Sequence, residues 1–198
     1  MNCVTLPEDE HVSREQRRKR TEAAILQAAR EQFAEAGFER TTIRSVAAAA
    51  SVDPALVMQH FGSKEGLFAQ AARWDDDHQT VLHVSRDDLP RAALQDMLGR
   101  FEGEHTREAA VAFMRNCLTH PEANRIMRDE VMCERAAGVA RTIGGEDAAL
   151  RASLIGACMM GLGLARYVFE LPGVATASRE DLERLMEPVL RALVDPPA

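Results

Sequence analysis

Around residue 59 the chain carries side chains suited to reading base edges rather than to breaking bonds. The amide of Gln59 presents the donor and acceptor pair that fits the N6/N7 edge of adenine, and Leu56 and Met58 are apolar groups of the kind that meet thymine methyls. With Val57 and Phe61 turned inward, Ala55, Leu56, Met58, Gln59 and His60 share the outer side of one short helix. His60 and Lys64 follow where polar groups can meet phosphates, contacts that set register without reading sequence. No set of residues for catalysis stands beside them. There is no phosphate-cradling glycine loop, no Gly-x-Ser-x-Gly and no His-Glu-x-x-His. Gly161-Leu162-Gly163 lacks the strand and the third glycine that dinucleotide binding needs. Neither an enzyme nor a bound cofactor is expected.

The elements that must hold these residues follow from periodicity and punctuation. Ile25, Ala29, Phe33 and Ala36 recur at helical spacing and predict a helix over residues 20–36, stopped by Gly37, with Phe38 folding back onto its last turn. Thr41-Thr42 offers an N-cap for a second helix over residues 42–50, with Ile43, Val46, Ala47 and Ala50 inward. Ser51-Val52-Asp53-Pro54 supplies a turn, a cap at Asp53 and a proline at the first position of a third helix, residues 54–61. Gly62-Ser63 ends it, and a fourth helix starts near Lys64 and runs through Leu67, Phe68, Ala71 and Trp74. Two short helices joined by a tight turn behind a longer one make a helix-turn-helix pattern.

The rest reads as longer helices over residues 90–102, 105–120, 121–143, 146–170 and 178–194, with a loop inside 75–88 and breaks at Gly144-Gly145 and Pro172-Gly173. Ser178 and Asp181 resemble a capping box, and Leu182, Leu185, Met186, Val189 and Leu193 are placed on one face of the last helix. Ala, Leu, Arg and Glu are abundant and β-branched residues never alternate, so the fold class is all-α. The net charge of −7 is unevenly spread: residues 11–64 carry nine Arg or Lys against six Asp or Glu, and residues 65–198 carry 15 against 22. A basic segment on an acidic body fits a nucleic-acid partner for the first part. The basic run Arg14, Arg17, Arg18, Lys19 and Arg20 fits equally a solvated helix start.

Residues 1–12 read as a disordered polar tail, with no apolar core of a signal peptide. The longest apolar run, residues 154–165, is too short for a bilayer, which needs about 20 residues. Cys3, Cys117, Cys133 and Cys158 form no Cys-x-x-Cys pair and read as reduced thiols of a cytoplasmic protein, with a redox switch through the last three as a minor alternative. Cys117 with His120, and Glu102 with His105, are three apart, yet neither makes a full ligand set, so no metal is expected. Met114, Cys117, Met132, Met159 and Phe169 are candidates to line an apolar pocket, against the plainer role of core filling.

The blocks Thr42-Ile43-Arg44-Ser45-Val46-Ala47, Val52-Asp53-Pro54-Ala55-Leu56 and His60-Phe61-Gly62-Ser63-Lys64-Glu65-Gly66-Leu67-Phe68 resemble the DNA-binding domain of the TetR family, without gaps over residues 20–70. The resemblance implies a helix-turn-helix DNA-binding domain at residues 13–65 and a larger helical effector-binding and dimerisation domain at 66–198. It implies that Thr42 and Arg44 hold DNA at the start of the second helix, that Ala55, Leu56, Met58 and Gln59 face the groove, and that His60 and Lys64 bind the backbone. It further implies a homodimer through the last two helices, a near-palindromic double-stranded operator and release by a small apolar effector. Two positions depart from the family pattern: Ser51 stands where the turn usually has glycine, and Met58 where the third helix usually has an aromatic. A helical interaction module that has lost DNA binding is the alternative, and a helical enzyme with an apolar pocket a more distant one.

Overall fold

The computed structural model describes residues 13–73, 82–102 and 107–196. Every regular element among them is helical, with no strand. The order is α1 (Arg14–Arg40), α2 (Ile43–Ala49), α3 (Pro54–Phe61), α4 (Lys64–Arg73), α5 (Leu89–Glu102), α6 (Arg107–Thr119), α7 (Pro121–Ile126), a π-helical segment (Met127–Met132), α8 (Cys133–Ile143), α9 (Ala148–Gly163), a second π-helical segment (Leu164–Val168) and α10 (Arg179–Val194). The expected disordered tail, Trp74 and the start of the loop after it, and His105 lie outside the described residues.

Local chemistry sets most of the helix ends. α1 begins earlier than its apolar spacing suggests, because Ser13 and Gln16 cap it reciprocally. Gly37, at φ 79°, breaks its last part and lets Phe38 turn back into the core. The buried Thr41 hydroxyl reaches the carbonyls of Gln32 (3.0 Å) and Gly37 (2.8 Å) and closes that corner. Thr42 with Ser45 caps α2, Asp53 accepts from the Ala55 amide at 2.7 Å to start α3, and Ser63 accepts from Gly66 at 3.0 Å to start α4.

The turn between α2 and α3 keeps its left-handed residue without glycine. Ser51 adopts φ 55°, while Val52 donates to the Ala47 carbonyl at 2.9 Å. Three apolar clusters fill the molecule. The first joins α1–α4 to Phe113 of α6, Ala123 and Ile126 of α7 and Val131. The second lies among α5, α8, α9 and α10, and the third gathers Met97, Leu98, Phe101, Tyr167 and Leu182.

On α10, Leu182, Leu190 and Val194 are buried, whereas Leu185 (59% exposed) and Val189 (49%) point outward. One expectation from sequence needs correction in the C-terminal part. The length argument against a bilayer fails, because α9 and the π segment after it run unbroken over Ala148–Val168, long and apolar enough to cross by length and composition. That helix nevertheless carries Arg151, which donates to the carbonyls of Gly144 (2.8 Å), Glu146 (3.0 Å) and Val194 (2.9 Å) and so ties the ends of α8 and α10 to it.

Two glycine-related substitutions test the head. A Cβ at Gly66 would stand 2.3 Å from the Phe61 carbonyl oxygen. Gly66→Ala should therefore cost about 2–3 kcal/mol, since that clash outweighs the ~1 kcal/mol a helical alanine gains. Ser51→Gly should stabilise by about 0.5–1 kcal/mol, the left-handed penalty less glycine's entropy. Urea unfolding of both variants reads these signs.

Candidate nucleic-acid interface

α3 sits with one side locked and the other free. Val57 and Phe61 are buried in the first cluster. Ala55, Met58 and Gln59 are exposed, and Leu56 and His60 are half-buried at the edges of the same outer strip. The ring of His60 lies 5.9 Å from that of Phe61, which limits its swing. The five positions that sequence placed on the reading face are thus together on one surface. Arg44 and Thr42 are exposed at the start of α2, and the Thr42 Oγ1 accepts from the Ser45 amide at 3.0 Å, leaving its own proton to donate.

Lys64 does more than sequence assigned to it. Its Nζ donates to the Glu39 carbonyl at 2.9 Å and stands 4.6 Å over the Phe38 ring. One ammonium therefore closes α1 onto α4, with two further protons to offer. The exposed Arg14, Arg17, Arg18, Lys19 and Arg20 line the first turns of α1, where Lys19 meets Glu15 at 3.6 Å.

The head is fixed to the body at the α1 break. Phe33, Phe38, Phe68 and Phe113 pack ring to ring, with centroids 4.7–6.0 Å apart. Asn116 of α6 accepts from the Phe38 amide at 3.0 Å and donates to the Phe33 carbonyl at 3.0 Å. His120, the N-cap of α7, bonds Glu39 at 2.8 Å and packs 4.9 Å from the Phe38 ring. Sequence reasoning missed Asn116, the close approach of Gly66 to the Phe61 carbonyl and this role of His120. The cue available was weak: one amide side chain in the middle of a helix, with its partners about eighty residues away.

The five pocket candidates do not converge. Cys117 and Met132 pack against the first cluster, Met114 against the third, Met159 against the second and third, and Phe169 is 66% exposed. Burial pushes the Cys117 thiol up to about 12, so it stays protonated and a poor candidate for redox chemistry. Cys133 is exposed and Cys158 half-buried. No group of three or more metal-type ligands occurs among the described residues, and His120 is already engaged by Glu39. A cavity does open elsewhere, between Phe101, Arg107, Tyr167 and Glu170, residues the sequence reading did not single out apart from the neighbouring Glu102.

Comparison with known proteins agrees with this architecture. Residues 25–71 match the family described as bacterial regulatory proteins, tetR family, and residues 87–194 match the tetracyclin repressor-like C-terminal domain. The chain is 31% identical to a TetR-family regulator from Streptomyces coelicolor, covering 89% of this chain and 95% of that one with a TM-score of 0.52. It shares its fold with NalD, the secondary repressor of the MexAB-OprM multidrug efflux pump in Pseudomonas aeruginosa (20% identity, 90% and 98% coverage, TM-score 0.62). Over 50 residues it is 50% identical to the HTH-type transcriptional repressor Rv3405c of Mycobacterium tuberculosis, a match spanning 25% of this chain and only 27% of that relative's length.

Substitutions separate the roles proposed for these side chains. Gln59→Ala should change base preference at one position of a bound duplex, by about 1–3 kcal/mol between bases. Arg44→Ala should weaken binding to all duplexes alike and lower the salt slope by about one. Lys64→Ala should do the same and also lower thermal stability, because it strips the Glu39 carbonyl of its donor. Fluorescence anisotropy across a salt series, with a parallel melt, reads all three; a sequence-independent loss in Gln59→Ala would contradict its base contact.

Proposed function

The chain belongs to the tetR family of bacterial regulatory proteins, and from that membership we propose that it is a ligand-responsive repressor, reading a near-palindromic operator as a homodimer. Regulators of this family bind DNA and dimerise. The observation that carries the reading is the outer strip of α3, with Ala55, Met58 and Gln59 exposed on a helix whose inner side is fixed by Val57 and Phe61. Thr42, Arg44, His60 and Lys64 flank that strip and supply the phosphate contacts. The cytoplasm, where chromosomal DNA lies, is the compartment this work requires.

A symmetric interface through α9 and α10 accounts for the apolar surface left outward there. Leu150, Leu154 and Met160 of α9 and Leu185 and Val189 of α10 are 42–59% exposed. Beside them a Cβ at Gly156 or Gly161 would meet nothing within 4 Å, so a partner helix has room to approach. Two copies would place two reading heads on two half-sites about one helical turn apart, and the operator symmetry follows from the protein's. The same interface supplies a use for the long apolar helix that does not involve a membrane.

Release follows from differential affinity. An effector that binds the body more tightly in a head spacing unsuited to DNA shifts the population away from the operator. The Asn116 and His120 contacts give α6 and α7 a direct hold on α1 for that purpose. The alternative of a module that has lost DNA binding rested partly on Ser51, and that footing is gone, since the serine holds the left-handed turn.

Selection of duplexes from a random pool tests the DNA reading: wild type should enrich a near-palindrome, and recovery of no preferred sequence would remove it. Leu185→Glu tests the dimer. It should yield a folded monomer by sedimentation, with operator affinity down by about a hundredfold or more through lost bivalency; a dimer that persists would contradict the α9–α10 interface.

A further inference from the structure

A cavity of about 560 Å³ opens where the end of α5, the start of α6 and the π-helical segment Leu164–Val168 meet. Pockets for small organic molecules run from roughly 300 to 1,000 Å³. One side of it is the edge of an aromatic pair: the rings of Phe101 and Tyr167 stack with centroids 4.4 Å apart and planes 6° from parallel, both mostly buried, and the Arg166 guanidinium stands 5.4 Å over the Tyr167 ring. π-helical turns recur at functional sites, and this one carries Arg166 and Tyr167 into the cavity wall.

Most of the charges around it are committed. The Tyr167 hydroxyl donates to Glu102 at 3.0 Å and accepts from Arg166 Nε at 3.1 Å. Arg166 Nη1 also holds the carbonyls of Val174 (2.7 Å) and Ala177 (2.9 Å), and Arg179 meets Glu102 at 3.4 Å. Arg107 differs. Its guanidinium stands 5.6 Å over the Tyr167 ring, and it meets Glu170 across 3.8 Å with both side chains more than half exposed. Such a long, solvated pair contributes little. An outside carboxylate can therefore compete with Glu170 for Arg107, at a site with the edge of an aromatic pair beside it.

We infer that this cavity binds an aromatic carboxylate, its acid group on Arg107 in place of Glu170 and its ring system against Phe101 and Tyr167. Resting on the effector-responsive reading above, this assigns the effector's chemical class. Displaced Glu170 lies at the end of the π segment, in the connection that Arg166 holds on the way to α10. Ligand exchange there reaches the helix proposed to form the dimer interface.

The test uses the full chain and 2-naphthoate, with 2-naphthalenemethanol and 2-naphthylmethylammonium as neutral and cationic counterparts, in isothermal titration. Naphthoate should bind, with both counterparts about tenfold or more weaker. Arg107→Gln should weaken naphthoate by about tenfold or more, and Glu170→Gln should strengthen it, with both variants melting as wild type does. Equal naphthoate affinity in wild type and Arg107→Gln, preference for the cation, or no binding at millimolar concentration would overturn the assignment. Operator anisotropy separates the two readings. Arg107-dependent naphthoate binding that leaves operator affinity unchanged upholds the cavity and removes the effector reading. Release of operator by some other compound, equally from wild type and Arg107→Gln and with naphthoate unbound, upholds the effector reading and removes the cavity assignment.

Discussion

The packing of Phe33, Phe38, Phe68 and Phe113 is the constraint on which the rest of the molecule depends. α2 and α3 are one or two turns long and marginal by themselves, so they exist only against a preformed support. α1 and α4 provide that support, and Phe113 makes α6 part of it. Rings in edge-to-face and stacked contact resist sliding, because each orientation is set by its neighbours. The reading head is consequently not a bead on a linker: its core is continuous with the body. A disturbance of α6 reaches α1 through direct contact.

Polar contacts around the aromatic cluster determine its orientation. Gly37 lets the chain turn, and Asn116 then bonds the backbone on both sides of that turn. Lys64 holds the other side through Glu39 and Phe38. The Asn116 bonds are partly buried, where an unpaired amide or carbonyl would be costly, while the Lys64 bond to Glu39 lies at the exposed edge. The same lysine faces the region where DNA phosphates are proposed to lie. One residue in that position links the fit of the head on its support to its electrostatic hold on a duplex.

The head was legible in the sequence because its signals are local. Thr42, Asp53-Pro54, Gly62-Ser63 and the inward Val57 and Phe61 each act within a few residues, and together they fix the outer strip of α3. What escaped depends on distant partners. Asn116 has no local signature, and which residues of α10 are buried, Leu190 rather than Leu185 or Val189, depends on the distant helices that pack against it. Of the methionines read as pocket candidates, Met114 and Met159 pack against the third cluster and Met132 against the first, so they do not all line one site. The cavity is lined instead by charged and aromatic residues whose juxtaposition exists only after α5, α6 and the π segment meet.

The central claim is that two copies of the α3 strip, held by this aromatic support, engage one duplex together. Hydroxyl-radical footprinting of a selected operator tests it most directly. A dimer on a near-palindrome should leave two protected zones on one face of the duplex, related by two-fold symmetry and centred about 10–10.5 base pairs, or a multiple of that, apart. One protected zone, or protection without that spacing and symmetry, would contradict it.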